Sequence, residues 1–481
     1  GKVDWDMFYR YCGKDCCLTY EIYECLEKEI DNWGVRQAFE LDMKNLPAVL
    51  FSMQHGIKID TGVVSAYKAR NERAIQNMER IKLAVLGDIN VKSHKQLKEL
   101  LYEQWRLPVQ RKKGKITIED KKLAHLEALP TPYKPLIGLI RTLRDRYKNR
   151  EFYSWELDPD GRVRTALKIH GTYTGRWASA KSITGSGRNL QNTPKETRVF
   201  YVPDEGYIFI EMDLSQSEAR IVAALAKDLE WLREFDTIDQ HTKVAALLFH
   251  LKPEDVDPKT HRQIGKRVAH ASHYMLGWKL LSEIVGCPAK EAKRLKKRYF
   301  EIRPNVKKVW HKFILTEIKR KRVIKTCFNR VMQFFGPFFD QLVTDATAAE
   351  PQSTSASYLN DALARIYDEI PEFEFALQVH DSILCQVPDD VATITRVVAR
   401  MKALTEQEIN VRGVRFTIPA EFTIGYDWYN GVEVEDINKI AEYREEARKK
   451  FKEYRCSIAN FSKTTESTQA ETKPRSSSTC G

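Results

Sequence analysis

The hydrophobic pattern of the chain changes most sharply within residues 207–225. The first half of this stretch is rich in residues that favour strands: Tyr207, Phe209 and Ile210. Apolar residues then recur at helical spacing: Ile221, Val222 and Leu225. The pattern predicts a strand that ends at Asp213 and a helix that follows it, with Ser215 and Glu218 spaced as a capping box. Asp213 then lies at the end of a sheet, where an isolated aspartate is usually a turn residue.

A second change of pattern lies at residues 373–388. Apolar residues alternate with other residues before and after the pair His380-Asp381. This alternation predicts a β-hairpin with His380 and Asp381 at its tip. A plain tight turn, which favours aspartate, is the alternative interpretation of the pair.

Helical spacing aligns four polar residues within residues 261–274. Arg262, Lys266, His270 and Tyr274 recur at every fourth position. A step of four drifts only about 40° around an α-helix, so these side chains form one slanting stripe. Two cations, an imidazole and a phenol in line suit a triphosphate that runs towards a stacked base. A basic, solvent-exposed helix face is the alternative.

Most of the remaining chain has helical periodicity. The main predicted helices cover residues 1–32, 62–86, 93–105 with Ser93 as N-cap, a segment that Thr117 opens, 134–152 and 434–454. The helix at 134–152 carries five cations: Arg141, Arg144, Arg146, Lys148 and Arg150. They form either a phosphate-binding surface or a solvated face. Residues from 462 onwards are polar and poor in apolar side chains, which predicts a disordered tail.

Strands and loops dominate residues 156–200. Two glycine-punctuated loops carry side chains that suit hydrogen bonding to a nucleic acid: Arg176, Asn189, Gln191 and Asn192. Ordinary turns explain the glycines equally well. His241, at the start of another predicted helix, is placed to reach the phosphates of a nucleotide bound along the stripe.

Composition narrows the function classes. The 481 residues have 42% hydrophobic and 30% charged content and a formal net charge of +12, which favours a polyanionic partner such as nucleic acid. There is no run of eighteen apolar residues, so the sequence predicts no membrane span. The nine cysteines lack C-x₂-C spacing, which indicates free thiols in a reducing cytoplasm. The chain begins without Met, as expected of a fragment of something longer.

Asp213 and Asp381 can converge if their strands belong to one sheet. Two adjacent carboxylates repel each other unless cations lie between them. Oxygen ligands without cysteine favour Mg²⁺ or Mn²⁺. Two such ions about 3.5–4 Å apart stabilise the attacking and leaving oxygens of a phosphoryl displacement. With Arg262 and Lys266 to neutralise a leaving pyrophosphate, the chemistry is nucleotidyl transfer.

These segments resemble the motifs of family A DNA polymerases, the DNA polymerase I type. Motifs A, B and C match Asp213-Leu-Ser-Gln-Ser-Glu218-Ala-Arg220, Arg262-x₃-Lys266-x₇-Tyr274 and Gln378-Val-His380-Asp381. Segments that resemble the family's primer-template and thumb regions are Thr174-Gly-Arg176, Asn189-Leu-Gln-Asn-Thr-Pro194, Ser93-x₂-Gln96-Leu97 and Gly56-Ile-Lys-Ile-Asp60. The resemblance runs in the family's order from about residue 5 to residue 430.

The resemblance implies a role for each matching position. The metal ligands are Asp213, Asp381 and the Leu214 carbonyl, and they hold two Mg²⁺ ions, with Mn²⁺ possible. The catalytic residues are Asp213, Asp381 and Lys266. The nucleotide contacts are Gln216, Glu218, His241, Arg262, Lys266, His270 and Tyr274, with Glu218 as the steric gate against a ribose 2′-OH. The DNA contacts are Arg176, Asn189, Gln191, Asn192, Gln352 and His380. The implied partners are primer-template DNA and dNTPs.

The implied fold is a right hand in the α+β class, with an antiparallel-sheet palm, a helical thumb and helical fingers. The implied divisions are 1–32 as the last helix of a 3′→5′ exonuclease domain, 33–61 as the segment that leads into the palm, 62–155 thumb, 156–225 first palm part, 226–340 fingers, 341–430 second palm part and 431–481 charged helix and tail. The implied location is the cytoplasm, that of a host if the chain is phage-encoded.

Several positions depart from the family pattern. Ser382 stands where a glutamate commonly follows the motif C aspartate, which removes a third acidic group. His270 and Met275 replace the usual aromatic residue and glycine of motif B. Upstream of Gln352, Ala348 and Thr344 replace the Asn and Arg that are often found there. These departures indicate a divergent, phage-like branch that keeps both metal-binding aspartates.

Tyr11-x₃-Asp15 resembles the last motif of the family's 3′→5′ exonuclease. The other carboxylates of that site are absent, and one aspartate cannot hold two metals, so we expect no proofreading by this chain alone. The first helix could instead dock an exonuclease domain of the full-length protein or of another chain. Two further functions stay open at this point, a single-subunit RNA polymerase and a non-catalytic fragment that binds primer-template DNA.

Overall fold

The computed structural model describes residues 4–112, 114–153, 157–182 and 187–470, with side chains up to residue 458. Its α-helices are α1 Trp5–Asn32, α2 Arg36–Lys44, α3 Leu46–His55, α4 Thr61–Leu86, α5 His94–Lys98, α6 Asp120–Glu127, α7 Lys134–Asn149, α8 Ser217–Leu225, α9 Leu229–Glu234, α10 Gln240–Phe249, α11 His261–His273, α12 Trp278–Val285, α13 Ala289–Ile302, α14 Lys312–Arg320, α15 Asp340–Glu369, α16 Val391–Thr405 and α17 Ile440–Ala470. Helical turns at Glu99–Gln104 and Val306–His311 adjoin α5 and α14.

The strands are short except near the centre of the chain. They are β1 Ile57–Ile59, β2 Arg111–Lys112, β3 Lys115–Ile116, β4 Arg162–Val163, β5 Ala166–Lys168, β6 Ala178–Ala180, β7 Tyr201–Val202, β8 Tyr207–Leu214, β9 Val323–Lys325, β10 Val331–Gln333, β11 Glu374–Val379, β12 Ser382–Pro388, β13 Ile409–Val411, β14 Val414–Phe416, β15 Ala420–Gly425 and β16 Val432–Glu433. The largest sheet has the order β11-β12-β8-β15-β16, and each of its neighbouring pairs is antiparallel.

The alternation of buried and accessible side chains along β8 explains how this sheet packs on the core. Ile208, Ile210 and Met212 are completely buried on one face, together with side chains of β12 and β15. Glu211 and Asp213 point from the opposite face, because successive residues of a strand alternate in direction. The hairpin of β11 and β12 was predicted from the same alternation and is present, with His380 and Asp381 between the two strands. The sheet therefore has one face in the core and one face free for chemistry.

Two helical bodies with cores of their own flank the sheet. The first, from residues 91–143, packs around Leu97, Leu101, Leu123, Ile137 and Leu143. The second, from residues 244–299, packs around Val244, Val268, Leu281, Leu295 and Tyr299. The antiparallel sheet shares its core with α8, α15 and α16, and the two helical bodies have separate cores, an arrangement of the predicted α+β class.

Three predicted helix boundaries are wrong. Thr117 does not open a helix, because α6 begins at Asp120 and the Thr117 hydroxyl instead accepts a hydrogen bond from the backbone N–H of Glu119 at 3.2 Å. The C-terminal helix begins at Ile440 rather than 434, since residues 432–433 pair with β15. It continues to Ala470 rather than 454, so residues 462–470 of the predicted disordered tail are helical here. The rest of that tail, residues 471–481, lies outside the described residues.

Three arginines of the predicted helix at 134–152 have partners within the protein. The Arg141 guanidinium donates to Asp120 at 2.9 Å, and Arg144 donates to the carbonyl of Ile118 at 2.7 Å. The Arg150 Nε donates to Glu72 at 2.7 Å. These contacts favour a structural role for the three arginines over a phosphate-binding surface. None of the helices in the described ranges combines the length and apolarity that crossing a bilayer requires.

Buried histidines hold the second helical body together. His273 hydrogen-bonds the Tyr299 hydroxyl at 2.6 Å, and His311 Nε2 lies 2.8 Å from the carbonyl of His273. Burial lowers the pKa of His311 to about 4, and the nearby charges of Lys296 and Lys307 act in the same direction. The native state therefore holds His311 neutral.

We expect the free energy of unfolding to fall as the pH drops from 7 to 5, partly because of His311. In the unfolded chain a histidine has a pKa of about 6.5. Below that pH the unfolded state therefore binds a proton at His311 that the native state does not bind. The contribution of neutral His311 to the free energy of unfolding is thus complete above pH 6.5. It is lost as the pH falls towards the folded-state pKa of about 4. His311 contributes about 2 kcal/mol of the loss at pH 5.

Denaturant unfolding of His311→Gln at both pH values tests this expectation. The variant should lose about 2 kcal/mol less than the parent between pH 7 and pH 5. His94→Gln is the control, because His94 is exposed at the start of α5 and its replacement should leave the pH dependence unchanged. Equal pH dependence of His311→Gln and the parent contradicts the assignment.

Candidate active site

Asp213 and Asp381 meet at one end of the large sheet. Asp213 stands opposite Ser382 of β12 in the register, and Asp381 directly precedes Ser382. The backbone N–H of Leu214 donates to the carbonyl of Asp381 at 3.2 Å, which ties the hairpin tip to the end of β8. At the tip, His380 has a positive φ of 57°, a conformation that histidine adopts more readily than most residues. The predicted convergence of the two carboxylates is therefore present in the fold.

The electrostatics of this pair favour a bound cation. Desolvation and the negative charges of Asp381, Glu211 and Glu421 raise the pKa of Asp213 to about 7. Desolvation also raises the pKa of Asp381, and Glu218 adds to the effect. A raised pKa means that the carboxylate anion is destabilised, and a bound divalent cation stabilises it again.

Two further acidic residues were not identified from the sequence. Glu421 is the register partner of Asp213 on β15, and Glu211 lies two residues before Asp213 on the same face of β8. The strand alternation that placed Asp213 could have identified Glu211, whereas Glu421 depends on a strand pairing that the sequence does not show. The site is therefore more acidic than motifs A and C indicate.

Ser382 was expected to leave the site without a third acidic group. In the structure its hydroxyl donates to Glu211 at 3.3 Å, and the Trp428 indole N–H donates to the same carboxylate oxygen at 3.2 Å. Arg198 lies 3.6 Å from Glu211 and stacks on the Trp428 ring at 4.2 Å. Glu211 thus supplies acidic charge beside the position where the family pattern places it.

A cavity of about 450 Å³ opens over this face of the sheet. Its lining includes both aspartates and Glu211, and the cations Lys195 and Arg198 lie at the same cavity. The two cations precede β8 in the sequence and carry no motif, so sequence reasoning missed them. A cavity lined by acidic and basic groups suits a phosphate ester held by metal ions.

Glu218 does not form the predicted capping box. The helix α8 begins at Ser217, and its N-cap residue, Gln216, has a left-handed conformation with φ of 50° and no capping side chain. Ser215 therefore lies one residue too early to cap the helix. The Glu218 carboxylate instead accepts hydrogen bonds from the Arg176 guanidinium and the Tyr274 hydroxyl.

The contacts of Glu218 with Arg176 and Tyr274 join three separate segments near the two aspartates. Arg176 comes from the loop before β6, Glu218 from the first turn of α8, and Tyr274 from the C-terminal end of α11. Gln352 of α15 is close enough to Tyr274 to oppose the rise in the pKa of the phenol that burial causes. Four residues that were predicted to contact nucleotide or DNA are thus neighbours, and Glu218 and Arg176 both act on the charge of Asp381.

The polar stripe lies along α11 as predicted, but its first residue, Arg262, already binds a carboxylate of the protein. Arg262 makes a bidentate contact with Asp239, at 2.9 and 3.0 Å. Asp239 is also the N-cap of α10, where it accepts the backbone N–H of Thr242 at 2.8 Å. Any phosphate that binds Arg262 has to compete with this carboxylate. Lys266 and His270 are exposed on the same helix.

His241 lies beside the stripe. Its ring centroid is 6.3 Å from that of His270. Burial lowers the pKa of His241 to about 4, and the positive charges of Lys266 and Arg262 act in the same direction, against the opposing effect of Asp239. A neutral imidazole can contact a phosphate as a hydrogen-bond donor but adds no positive charge at neutral pH.

The loop residues predicted to contact DNA are only partly available for that role. The Gln191 amide donates to the backbone carbonyl of Gln378 at 3.1 Å, which anchors the loop to β11. The Asn189 side-chain oxygen is buried without a hydrogen-bond partner. Asn192 and His380 are exposed. In this state Gln191 is a structural residue, while Asn192 and His380 are available for contact.

A second cluster of possible metal ligands lies at the opposite end of the sheet. His55, Asp204 and Glu374 have their ligand atoms within 4.8 Å of one another. The Gln386 amide already donates to Asp204 at 2.8 Å and to Glu374 at 2.7 Å. Gln386 stands opposite Phe209, four residues before Asp213 on β8. This cluster is therefore separate from the aspartate pair.

The comparison with known families decides which family the chain belongs to. The sequence model described as "DNA polymerase family A" matches residues 62–430, more than half of the chain. The chain belongs to DNA polymerase family A. This assignment confirms the family that the resemblance of motifs A, B and C indicated.

Individual relatives agree with the family assignment. The chain is 29% identical over 448 residues to "DNA polymerase I, thermostable" of Thermus thermophilus, covering 88% of this chain and 52% of the relative. It is 28% identical over 414 residues to the protein of the same name from Thermus aquaticus, covering 81% and 48%. The chain thus spans about half the length of the curated relatives it matches.

A solved structure confirms the fold class. The POL domain of Pol1 from M. smegmatis, in complex with DNA primer-template and dNTP, matches with a TM-score of 0.77 at 20% identity. The match covers 86% of this chain and 74% of that domain. The predicted right-hand fold, with an antiparallel-sheet palm and helical flanking regions, is confirmed; the residue limits of its divisions stay predictions.

Proposed function

We propose that this chain is a template-directed DNA polymerase that extends the 3′ end of a primer with dNTPs. One observation carries the proposal: Asp213 and Asp381 lie side by side at the end of the sheet, with Glu218 and Tyr274 beside them. Paired carboxylates next to a cationic helix form the arrangement that metal-assisted nucleotidyl transfer requires. Primer-template DNA and dNTPs are the proposed substrates, and the related M. smegmatis domain is bound to both.

The donor set fits divalent metal ions with oxygen ligands. Asp213 and Asp381 would hold two Mg²⁺ ions, with Mn²⁺ possible, and the Leu214 carbonyl would assist. No cysteine or histidine of the described residues lines the face next to Asp213 apart from His380 at the hairpin tip. When bound, such ions stabilise the attacking and leaving oxygens of the displacement.

The other residues position the nucleotide. Lys266 is exposed on α11 and would neutralise charge that develops on the leaving pyrophosphate. Arg262 would exchange the carboxylate of Asp239 for a phosphate, and neutral His241 would donate a hydrogen bond to the same group. His270, one turn after Lys266, would contact the nucleotide, and Gln216 would do so from the turn before α8.

The DNA would lie across the face that Arg176, Gln352 and Tyr274 share. Arg176 would contact the primer terminus while it holds Glu218 in place. Gln352 and exposed His380 would contact the minor groove, and Asn192, with Asn189 and Gln191, would border the template. The net charge of +12 supports binding of a polyanion.

Template-directed synthesis can be tested with four primer-templates that differ only in the templating base. Each is offered one dNTP at a time in Mg²⁺, and we expect addition of the complementary dNTP alone. Addition that ignores the templating base contradicts template direction. A chain that binds the DNA in a gel shift but adds no nucleotide is the non-catalytic fragment instead, and initiation from rNTPs without a primer identifies an RNA polymerase.

The helix α1 is proposed to be the last helix of a 3′→5′ exonuclease domain. Its apolar side chains are exposed in the structure, including Trp5, Phe8, Tyr20 and Leu26. Such a face normally packs against further protein, which supports docking of an exonuclease domain of the same or another chain. We also propose a phage-like origin and a location in the host cytoplasm, on the strength of the departures at Ser382, His270 and Met275.

A further inference from the structure

The last helix, α17, lies outside the part of the chain that matches the family. The matching region ends at residue 430, and α17 covers Ile440–Ala470. The helix contacts β15, β16 and α16, and its residues Ile440 and Ala447 are buried. It also contacts α4. The helix therefore packs both on the large sheet and on a helix of another part of the molecule.

Two arginines fix α17 to the sheet. The Arg444 Nε donates to Oδ1 of Asp389 at 2.6 Å, and Arg448 donates to Oδ2 at 3.2 Å. The Tyr426 hydroxyl, directly after β15, donates to the same carboxylate at 2.9 Å. Asp389 directly follows β12, so one carboxylate joins α17 to two strands. This part of α17 is anchored to the sheet that carries the candidate active site.

The helix α4 connects the core of the sheet to the first helical body. Its first turns pack in the core of the sheet through Val63 and Tyr67. Its later turns pack against the separate core of the first helical body through Met78 and Leu86. Movement of the first helical body relative to the sheet therefore has to change the packing at the base of α4.

The middle of α17 binds the base of α4 at two points. Arg455 forms an ion pair with Asp60, the N-cap of α4, which also accepts the backbone N–H of Val63 at 3.0 Å. The hydroxyls of Tyr454 and Tyr67 hydrogen-bond each other. Only 14% of the Asp60 side chain is exposed, so solvent screens the ion pair less than it would at the open surface. The helix α17 thus spans from the sheet to the point where α4 leaves it.

The charge of the first helical body makes its position important for DNA. Residues 91–143 hold twelve lysines and arginines against five aspartates and glutamates, in a chain whose formal net charge is +12. Such an excess attracts the phosphates of a polyanion. When this body is fixed relative to the sheet, its phosphate contacts and the contacts at the active site form together. DNA then has to break both sets of contacts to leave.

We propose that α17 is a brace that holds the first helical body in position and lengthens the time that the chain stays on primer-template DNA. This inference rests on the proposed polymerase function and adds a determinant of DNA retention to it. The brace acts through Arg455 and Tyr454 at the base of α4, without contact to the DNA or the reacting atoms. Its loss therefore frees the first helical body without changing the chemistry at the two aspartates.

Hydrogen exchange of the full chain without DNA tests the brace directly. The double variant Tyr454→Phe with Arg455→Gln removes both contacts with α4 and nearly keeps the size of the side chains. We expect the backbone amides of residues 64–70 to exchange about tenfold faster than in the parent, because one hydrogen bond to a charged group corresponds to about that factor. The amides of β8 should exchange at the parental rate.

Dissociation from DNA tests the consequence. The chain is bound to a labelled primer-template and mixed with an excess of unlabelled DNA. The double variant should dissociate about fivefold faster than the parent, at the lower end of typical coupling between two sites. Single-turnover addition of one dNTP to the bound primer should proceed at the parental rate, a combination that a general loss of folding does not give.

Two comparisons separate the brace from charge and from helix capping. Lys452→Gln with Cys456→Ser changes exposed residues of the same helix and removes the same charge, so exchange and dissociation should stay parental. Asp60→Asn keeps an N-cap side chain and removes the ion pair. In that background Arg455→Gln should not change dissociation further. Thermal melting confirms that each variant is folded.

Four results overturn the proposal. They are parental exchange at residues 64–70 in the double variant, parental dissociation of that variant, slower nucleotide addition by it, and faster dissociation of the control variant. Primer extension by the parent, measured separately, distinguishes this outcome from that of the proposed function. A chain that extends primers but gives any of the four results loses the brace alone. A chain that extends no primer loses the polymerase function, and exchange and DNA dissociation still decide the brace.

Discussion

Replacing Asp213 or Asp381 with Asn should reduce primer extension by about 10³-fold or more, because losing a metal ligand removes several kcal/mol of transition-state stabilisation and each 1.4 kcal/mol is tenfold. Both side chains lie where β8 and the hairpin of β11 and β12 meet, and each would supply its own oxygen ligands to the metal ions. Single-turnover extension of a labelled primer in Mg²⁺ measures the loss.

Binding of primer-template DNA should survive the same substitutions. Asn is isosteric with Asp, and removal of one negative charge from this acidic face lowers its repulsion of phosphate. The matched control is Asp368→Asn, because Asp368 is an exposed carboxylate near the end of α15, about 24 Å along that helix from Gln352. Parental extension rates in Asp213→Asn or Asp381→Asn refute the metal assignment, and a loss in Asp368→Asn shows that the effect is not specific to the site.

Glu218→Ala should lower the preference for dNTPs over rNTPs by about tenfold to 200-fold, the range in which a pocket discriminates one small extra group. Arg176 and Tyr274 both hold the Glu218 carboxylate, which would make the proposed gate rigid. Incorporation of single dNTPs and rNTPs opposite the same template base measures the ratio.

Glu218→Gln separates size from charge in this prediction. Gln keeps the length of the side chain, so steric exclusion of a 2′-OH should persist and the dNTP preference should stay within a few-fold of the parent. Tyr274→Phe removes one of the two contacts and should fall between the parent and Glu218→Ala. If Glu218→Ala retains the parental ratio, Glu218 is not the gate and its contacts with Arg176 and Tyr274 serve only to connect the segments.

The sequence predicted the parts of the site that depend on local periodicity. Alternation placed Asp213 and Asp381 at the ends of strands, and helical spacing placed Arg262 and Lys266 on one face of α11. Convergence of the two aspartates followed once both strands were assigned to one sheet. The same reasoning identified Ser93 as the N-cap of α5, where its hydroxyl accepts the backbone N–H of Gln96.

The parts that failed depend on contacts between distant segments. Arg176 and Tyr274 lie 42 and 56 residues from Glu218, and nothing in the sequence shows that they take the hydrogen bonds that a capping box would have used. In the same way, Arg262 donates a hydrogen bond to Asp239, which lies 23 residues away in the sequence. The hydrogen-bond partners of polar side chains depend on which segments the fold brings together. Their roles therefore cannot be predicted from sequence spacing alone.

Template-dependent primer extension by the intact chain in Mg²⁺ tests the central claim most directly. We predict that the folded chain adds the complementary dNTP to a bound primer and that EDTA stops the reaction. The absence of any extension in Mg²⁺ or Mn²⁺, by a chain that is folded and bound to the primer-template, contradicts the account.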